Sequence, residues 1–282
     1  MRPADLPCLS WVLSSLDPHG ATAILLNNTY LRPPVDDGRD THRKSEDYDT
    51  MTSNTPSHIV IAIDGPSGVG KSTVAQRLAQ LLSFCYVDSG AMYRAVGWAV
   101  QAQALSYDDV PGIVALLERI TIDMTFCHGQ SVVWVQGQNV TGALRGEVVG
   151  HAASAVATLP VVRQVITAKL RRLRCRADLV MEGRDIGTAV FPDAPLKFFL
   201  DASLVVRGAR RFQEMQQAGQ AMPLEQVAQA VAQRDAQDRT RALAPLTIAP
   251  GALVIDTTHL TVDEVVQAML SGIHANIPQC DT

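Results

Sequence analysis

Lysine is scarce in this chain. Lys44, Lys71, Lys169 and Lys197 are the only four among 282 residues, and every other fixed cation is arginine. A codon bias toward arginine accounts for most of this, and it leaves Lys71, inside a glycine-rich stretch, conspicuous. Cysteine is sparse as well: Cys8, Cys85, Cys127, Cys175 and Cys280 are odd in number and widely scattered. No pair has the short spacing of a zinc knuckle or a redox motif, so reduced thiols in a cytoplasmic protein are expected. No apolar run approaches the roughly 20 residues of a membrane span, and the mildly apolar Leu9–Leu16 lacks the flanks of a signal peptide. No membrane association is expected. Net positive charge is missing too. At −4 overall, the chain has no broad basic field for polymeric nucleic acid, nor the interleaved aromatic and basic residues of an RNA-binding surface.

What is present is an ordinary globular composition, 47% hydrophobic and 18% charged, enough for a real core. Residues 1–57 stand apart. Pro33-Pro34, Asp36-Asp37-Gly38 and the polar run Arg39–Thr55 show no sustained period, which predicts a disordered N-terminal extension. Met51 sits just before the first strong strand, and the functional part could begin there.

From His58 the pattern is regular. Ile59–Ile63 is a β-branched run, as expected of a strand buried on both faces. Further strands are predicted at Phe84–Val87, Leu179–Met181, Leu196–Leu200 and Leu253–Ile255. Helical spacing falls on Ser72–Leu82, Tyr93–Val100, Val161–Arg174, Leu204–Gln217 and Leu224–Arg239. Strands alternating with helices predict an open α/β parallel sheet with ligands beyond the strands' carboxyl ends. The polar residues Asp64, Asp88-Ser89, Glu182–Asp185 and Asp201 fall at those ends. One segment breaks the rhythm: Thr121–Phe126 and Val132–Gln136 flank His128-Gly129-Gln130 and read as a hairpin, suited to a small inserted binding element or lid. No histidine enters the motifs below. His128, His151, Trp98 and Trp134 read as structural.

Gly65-Pro66-Ser67-Gly68-Val69-Gly70-Lys71-Ser72, continued by Thr73, fits G-x-x-x-x-G-K-[ST] in full, with a strand before it and a helix after it. Glycines let successive N–H groups curl into an anion-binding nest, and the helix N-terminus adds positive dipole. Lys71 supplies a mobile charge for the outer phosphates, and the Ser72 hydroxyl can ligate Mg²⁺. Such a loop serves motors, GTPases and small-molecule kinases alike. No Asn-Lys-x-Asp guanine-reading element is present, and arginines cluster near acidic strand ends instead.

Four motifs in order narrow the choice: the loop itself, Asp88-Ser89-Gly90-Ala91-Met92-Tyr93-Arg94, Glu182-Gly183-Arg184-Asp185-Ile186-Gly187-Thr188, and Arg234–Arg241. Together, over about Ile59–Met269, they resemble the bacterial cytidylate kinase family of P-loop nucleoside monophosphate kinases. The resemblance implies a core of five parallel strands with an inserted small antiparallel domain for the nucleoside monophosphate (approximately 118–160) and a short lid (approximately 205–222), all within a kinase domain of 58–282. It implies ATP as donor, Mg²⁺, and CMP or dCMP as acceptor. Arg94, Arg184 and Arg241 then hold the acceptor phosphate and, with Lys71, neutralise charge in catalysis. The planar fork of arginine suits phosphate. Ser154, Arg163 and Asp185 match the family's base-reading positions, Arg234 and Asp238 its ribose pair, and Ser89 and Tyr93 line the acceptor side. Arg234, Asp238 and Arg241 share one helical face. Glu182 stands where many relatives carry Asp and could hold Mg²⁺ through water. Arg207, Arg210 and Arg211 fall where the lid begins, although Val205 and Val206 depart from the acidic residues expected there. Family analogy suggests a monomer. A kinase for another nucleoside monophosphate or a small metabolite, and an ATP-binding module without turnover, remain the alternative readings.

Overall fold

The computed structural model describes residues 58–220 and 222–276; the disorder expected of residues 1–57 lies outside them. Strand β1 (Val60–Asp64) is buried along its whole length, which is why its apolar residues run on rather than alternate. After the glycine loop come α1 (Lys71–Leu82), β2 (Cys85–Asp88) and α2 (Ser89–Ala102). Asp88 closes β2 and caps α2, its carboxylate accepting from the Ala91 N–H at 3.2 Å. Helix α3 (Val110–Arg119), capped by Asp109, leads into the hairpin β3 (Ile122–Cys127) and β4 (Gln130–Val135), with a short β5 (Gln138–Asn139) beside it.

Helices α4 (Glu147–Val156) and α5 (Pro160–Leu173) precede β6 (Leu179–Gly183), which runs into a wide π-type turn over Ile186–Val190. Strand β7 (Leu196–Asp201), helices α6 (Leu204–Gln217) and α7 (Leu224–Thr240), strand β8 (Leu253–Asp256) and α8 (Val262–Asn276) complete the described chain.

The sheet order is β3-β4-β2-β6-β1-β7-β8, with β5 on β4. Strands β2, β6, β1, β7 and β8 are mutually parallel, the five-stranded core the sequence predicts. The hairpin adds something the pattern did not show: β4 pairs with β2 at Tyr86–Gln130, so the antiparallel element continues the central sheet. Register sets Asp88 opposite Glu182 and Asp64 opposite Gly183. The acidic strand ends therefore share one edge, where the chain parts toward β2 on one side and β7–β8 on the other. On one face, Val96, Val100, Met124, Val133, Ile166 and Leu170 form the main core. Among the described residues no single helix is long and apolar enough to cross a membrane.

Candidate active site

Beyond that edge lies a cleft of ≈460 Å³. Its walls carry eight basic side chains against five acidic ones, a local excess of cations in a chain whose total is −4. Charge of this kind, focused in a concave site, selects polyanions.

The glycine loop forms one wall. Gly65 cannot be another residue, because a Cβ there would lie 2.2 Å from the Leu200 carbonyl oxygen of β7. Gly68 has φ +76°, and its Cβ would meet the Arg207 carbonyl oxygen at 2.8 Å, so helix α6 packs directly on the loop. Ser67, Gly68, Gly70, Lys71, Ser72 and Thr73 reach the cleft. Gly65, Pro66 and Val69 do not line it. The Pro66 carbonyl accepts from Lys71 Nζ at 2.6 Å, and the Val69 carbonyl accepts from the Thr257 hydroxyl at 3.2 Å. They shape the loop from behind.

Lys71 is buried, and its ammonium pKa is pushed down to about 7, first by loss of water and then by Arg184. The nearby Glu182 and Asp64 work against that fall. Glu182 is itself buried, and its carboxyl is pushed upward by burial and by the Asp88 charge beside it. Tyr86 donates to Glu182 Oε1 at 2.6 Å. A serine hydroxyl with carboxylates beside phosphate positions is the hard-oxygen donor set that suits Mg²⁺, an ion that takes one or two carboxylates plus substrate phosphates. Ser72, Asp88 and Glu182 all line the cleft.

The wall facing the loop comes from several elements. All of Ser89, Tyr93, Arg94, Ser154 and Arg163 line the cleft, as do Arg184, Asp185, Arg234, Asp238 and Arg241. Ser89 donates its hydroxyl to the Glu182 carbonyl at 2.7 Å, tying α2 to β6. Arg94 pairs with Asp88 at 2.5 Å and Arg184 with Asp238 at 2.8 Å. Arg241 lies 3.5 Å from Asp185 and 3.7 Å from Asp238. Arg163 and Asp185 form a buried ion pair, and the Arg163 guanidinium sits 5.5 Å from the Tyr93 ring centre. Ser154 donates to the Gly150 carbonyl at 3.2 Å within α4. Arg234 Nε is buried with no hydrogen-bond partner, and burial plus Arg184 lowers its pKa to about 10. Each arginine is thus held by a carboxylate or aimed into the cleft.

Asp64 closes the floor. Its two oxygens accept from Ile186 N–H and Gly187 N–H at 2.8 Å each, which holds the π-type turn after Asp185. Burial raises its pKa to about 6 despite those bonds.

Two of the three arginines at the start of the 205–222 segment do not line the cleft. Arg207 is buried against Asp235, and Arg210 donates to the Thr257 carbonyl at 2.7 Å. Only Arg211 of the three lines the cleft, bonded to Glu214 at 3.0 Å. Val205, 81% exposed, has no packing role. Asp88, one of the polar strand ends named from sequence, also lines the cleft, and so does Arg145, which sequence reasoning missed. Arg145 precedes α4 in a loop with no pattern to mark it.

A buried parallel strand, a tight glycine loop and a helix that begins at the loop lysine define a P-loop protein of the small-kinase class, here with an arginine-rich wall facing the loop. The family described as "Cytidylate kinase" matches residues 61–275. A cytidylate kinase from Geobacillus kaustophilus is 44% identical over 220 residues, 78% of this chain and 98% of its own. One from Caldanaerobacter subterraneus subsp. tengcongensis is 42% identical over 218 residues, 77% of this chain and 96% of its own. The chain belongs to the cytidylate kinase family. Among solved structures, a shikimate kinase from Acinetobacter baumannii in complex with shikimate overlays 79% of this chain and 97% of its own, at 19% identity and a TM-score of 0.38, an overlap too loose to argue from.

Proposed function

We propose that this chain transfers the γ-phosphate of ATP to CMP, and to dCMP, giving ADP and the corresponding diphosphate. The observation that carries this reading is the facing of two charged walls across one cleft: the Lys71 loop, and the acceptor set Arg94, Arg184 and Arg241 with Arg163–Asp185 beyond it. One wall suits a triphosphate. The other suits a monophosphate attached to a base that needs both a donor and an acceptor.

The acceptor oxygen of CMP is already ionised near neutral pH, since the second pKa of a phosphomonoester is about 6. No general base is needed. That oxygen attacks the γ-phosphorus in line, and the bond to the ADP oxygen breaks. The difficulty is bringing two polyanions together, so positioning and charge neutralisation dominate. Lys71 and the three arginines supply the fixed positive charge. Asp185 accepts a hydrogen bond from the cytosine amino group while Arg163 donates to the ring and Ser154 assists. Asp238 and the buried, unpartnered edge of Arg234 take the ribose hydroxyls. Ser72 would hold Mg²⁺, with Glu182 through water, and the ion would add charge neutralisation at the donor phosphates.

The hairpin and α4 region (about 118–160) serve as the acceptor-binding insert. The α6 region (about 205–222) serves as the lid, and closure of both excludes water as a competing acceptor. A monomer in the cytoplasm is the reading that scattered thiols and family analogy support.

The direct test is ADP release from ATP and Mg²⁺ with CMP, dCMP, UMP, AMP and GMP offered separately, beside a Lys71→Ala control. Preference for CMP and dCMP, lost in the control, is expected. Turnover with a different acceptor would keep the kinase and discard the base-reading roles of Ser154, Arg163 and Asp185.

A further inference from the structure

Ser67 is the third residue of the glycine loop, and both halves of its backbone are held by one buried ion pair. Its N–H donates to Asp235 Oδ1 at 3.1 Å, and its carbonyl accepts from Arg207 Nη1 at 3.2 Å. Arg207 and Asp235 are each only 7% exposed and are bonded to one another. Arg207 is fixed in turn by its Nε donating to the Ala202 carbonyl at 2.9 Å, just past β7. The fit around this pair is close. Gly68 abuts the Arg207 backbone, and the neighbouring Gly208 lets α6 approach α7, where a Cβ would meet Ala228 Cβ at 3.1 Å.

Two desolvated charges contribute little to stability on balance, because their mutual attraction offsets mainly the cost of leaving water. A buried pair that holds both the N–H and the carbonyl of one residue sets the position of that residue's backbone. Nothing in the arrangement aims Arg207 at the cleft: it is absent from the cleft wall, while Ser67 is part of it.

We infer that Arg207 and Asp235 are positioning residues for the phosphate donor, which fix the Ser67 backbone in the glycine loop and lock that loop to helices α6 and α7. Neither side chain touches nucleotide. This rests on the donor-loop reading above and assigns to Arg207 a role different from an ATP-contacting lid arginine. Helix α7 carries Asp235 toward the loop and Arg234 and Asp238 toward the acceptor wall, so one helix sets the spacing between the two substrates.

The test is calorimetric binding of a non-hydrolysable ATP analogue and, separately, of CMP to the full chain, together with thermal melting. The variants are Asp235→Leu, Asp235→Asn, Arg207→Met and the double Arg207→Met/Asp235→Leu. Analogue affinity is expected to fall roughly tenfold or more in Asp235→Leu, the scale on which slight misplacement of binding groups acts. The double variant should bind no worse than the worse single one. Asp235→Asn should recover part of the loss, since its amide oxygen still accepts from Ser67 N–H. CMP affinity should stay within about threefold, and the double variant should melt near the wild type, since apolar replacement of a buried pair is often neutral or stabilising. Analogue affinity unchanged in a folded double variant would overturn the inference. So would additive losses from Arg207→Met and Asp235→Leu, which mark an arginine touching nucleotide on its own. Failure of the wild type to bind the analogue would instead overturn the donor-loop reading itself.

Discussion

Tyr86 donates its phenol to Glu182 Oε1 at 2.6 Å across the β2–β6 pair, with both side chains buried. The register sets Glu182 opposite Asp88 and Tyr86 opposite Val180, so the tyrosine reaches along the strand to the end of its neighbour. Glutamate has one more rotatable bond than aspartate, and this hydrogen bond removes the freedom that the extra bond adds.

Tyr86→Phe should therefore loosen Glu182 without touching the acceptor wall. The Mg²⁺ concentration giving half the maximal rate is expected to rise several-fold, with KM for CMP within about twofold of wild type. A Mg²⁺ titration of initial rates at saturating ATP checks this. An unchanged half-saturation point would remove Glu182 from the proposed metal site.

A second prediction concerns Lys71. Its pKa in the fold is lowered from the ordinary 10.5 to about 7, so between about pH 7 and 10.5 the unfolded chain binds more protons than the folded one. Stability contributed through this group therefore rises with pH across that window. A bound triphosphate favours the charged ammonium and reverses the shift. Nucleotide binding at pH 8 should take up a proton, read from calorimetry in two buffers of different ionisation heat. Lys71→Met should abolish the uptake and lower kcat by roughly 10²–10³-fold, the usual cost of losing one charge-stabilising donor. Equal uptake in the variant would assign the proton to another group.

Asp185 faces both Arg163 and Arg241. Asp185→Asn keeps an acceptor but removes the charge that organises them. Hydrogen bonds to charged groups contribute about 1.5–3 kcal/mol, so CMP binding should weaken roughly 10- to 150-fold while an ATP analogue binds within about threefold. Equal losses for both ligands would mean that the change has disturbed the floor at Ile186 and Gly187 rather than base reading.

The parts of the site that sequence made legible are those where one short segment carries the whole signal. Residues 65–73 announce their geometry through glycines between a strand and a helix. Arg234 and Asp238 announce theirs through helical spacing, whereas Arg241, expected on the same face, is the residue at which the chain leaves α7 with extended backbone. Arg207 was readable only as a helix-surface arginine, because facing a phosphate and facing a buried carboxylate leave the same local pattern. Asp235, its partner, is 28 residues away, and no periodicity links them. The joining of β4 to β2 was hidden for a similar reason, since it rests on one pairing between residues 44 apart, Tyr86 and Gln130. Long-range pairing is where a pattern of local preferences stops carrying information.

The last prediction tests whether the acceptor wall depends on close helix packing. Gly97 lies mid-way along α2, and a Cβ there would sit 2.7 Å from Ala152 Cβ and 2.9 Å from the Ala152 carbonyl carbon of α4. Neither atom belongs to a flexible side chain, so Gly97→Ala must push the helices apart. Overpacking of this kind costs about 1–3 kcal/mol, against which the better helix propensity of alanine returns only about 1 kcal/mol. A net loss of a few degrees in Tm is expected, at roughly 2–4 °C per kcal/mol for a chain of this size. Because α4 also carries Ser154, KM for CMP should rise while KM for ATP stays put. Adding Ala152→Gly removes the nearer clash but leaves the carbonyl carbon in the way, so the double variant should recover part of the CMP affinity and not all of it. Full recovery would show that the Cβ contact alone sets the spacing. A rise in KM for both substrates would show that α2 transmits the displacement to the glycine loop as well.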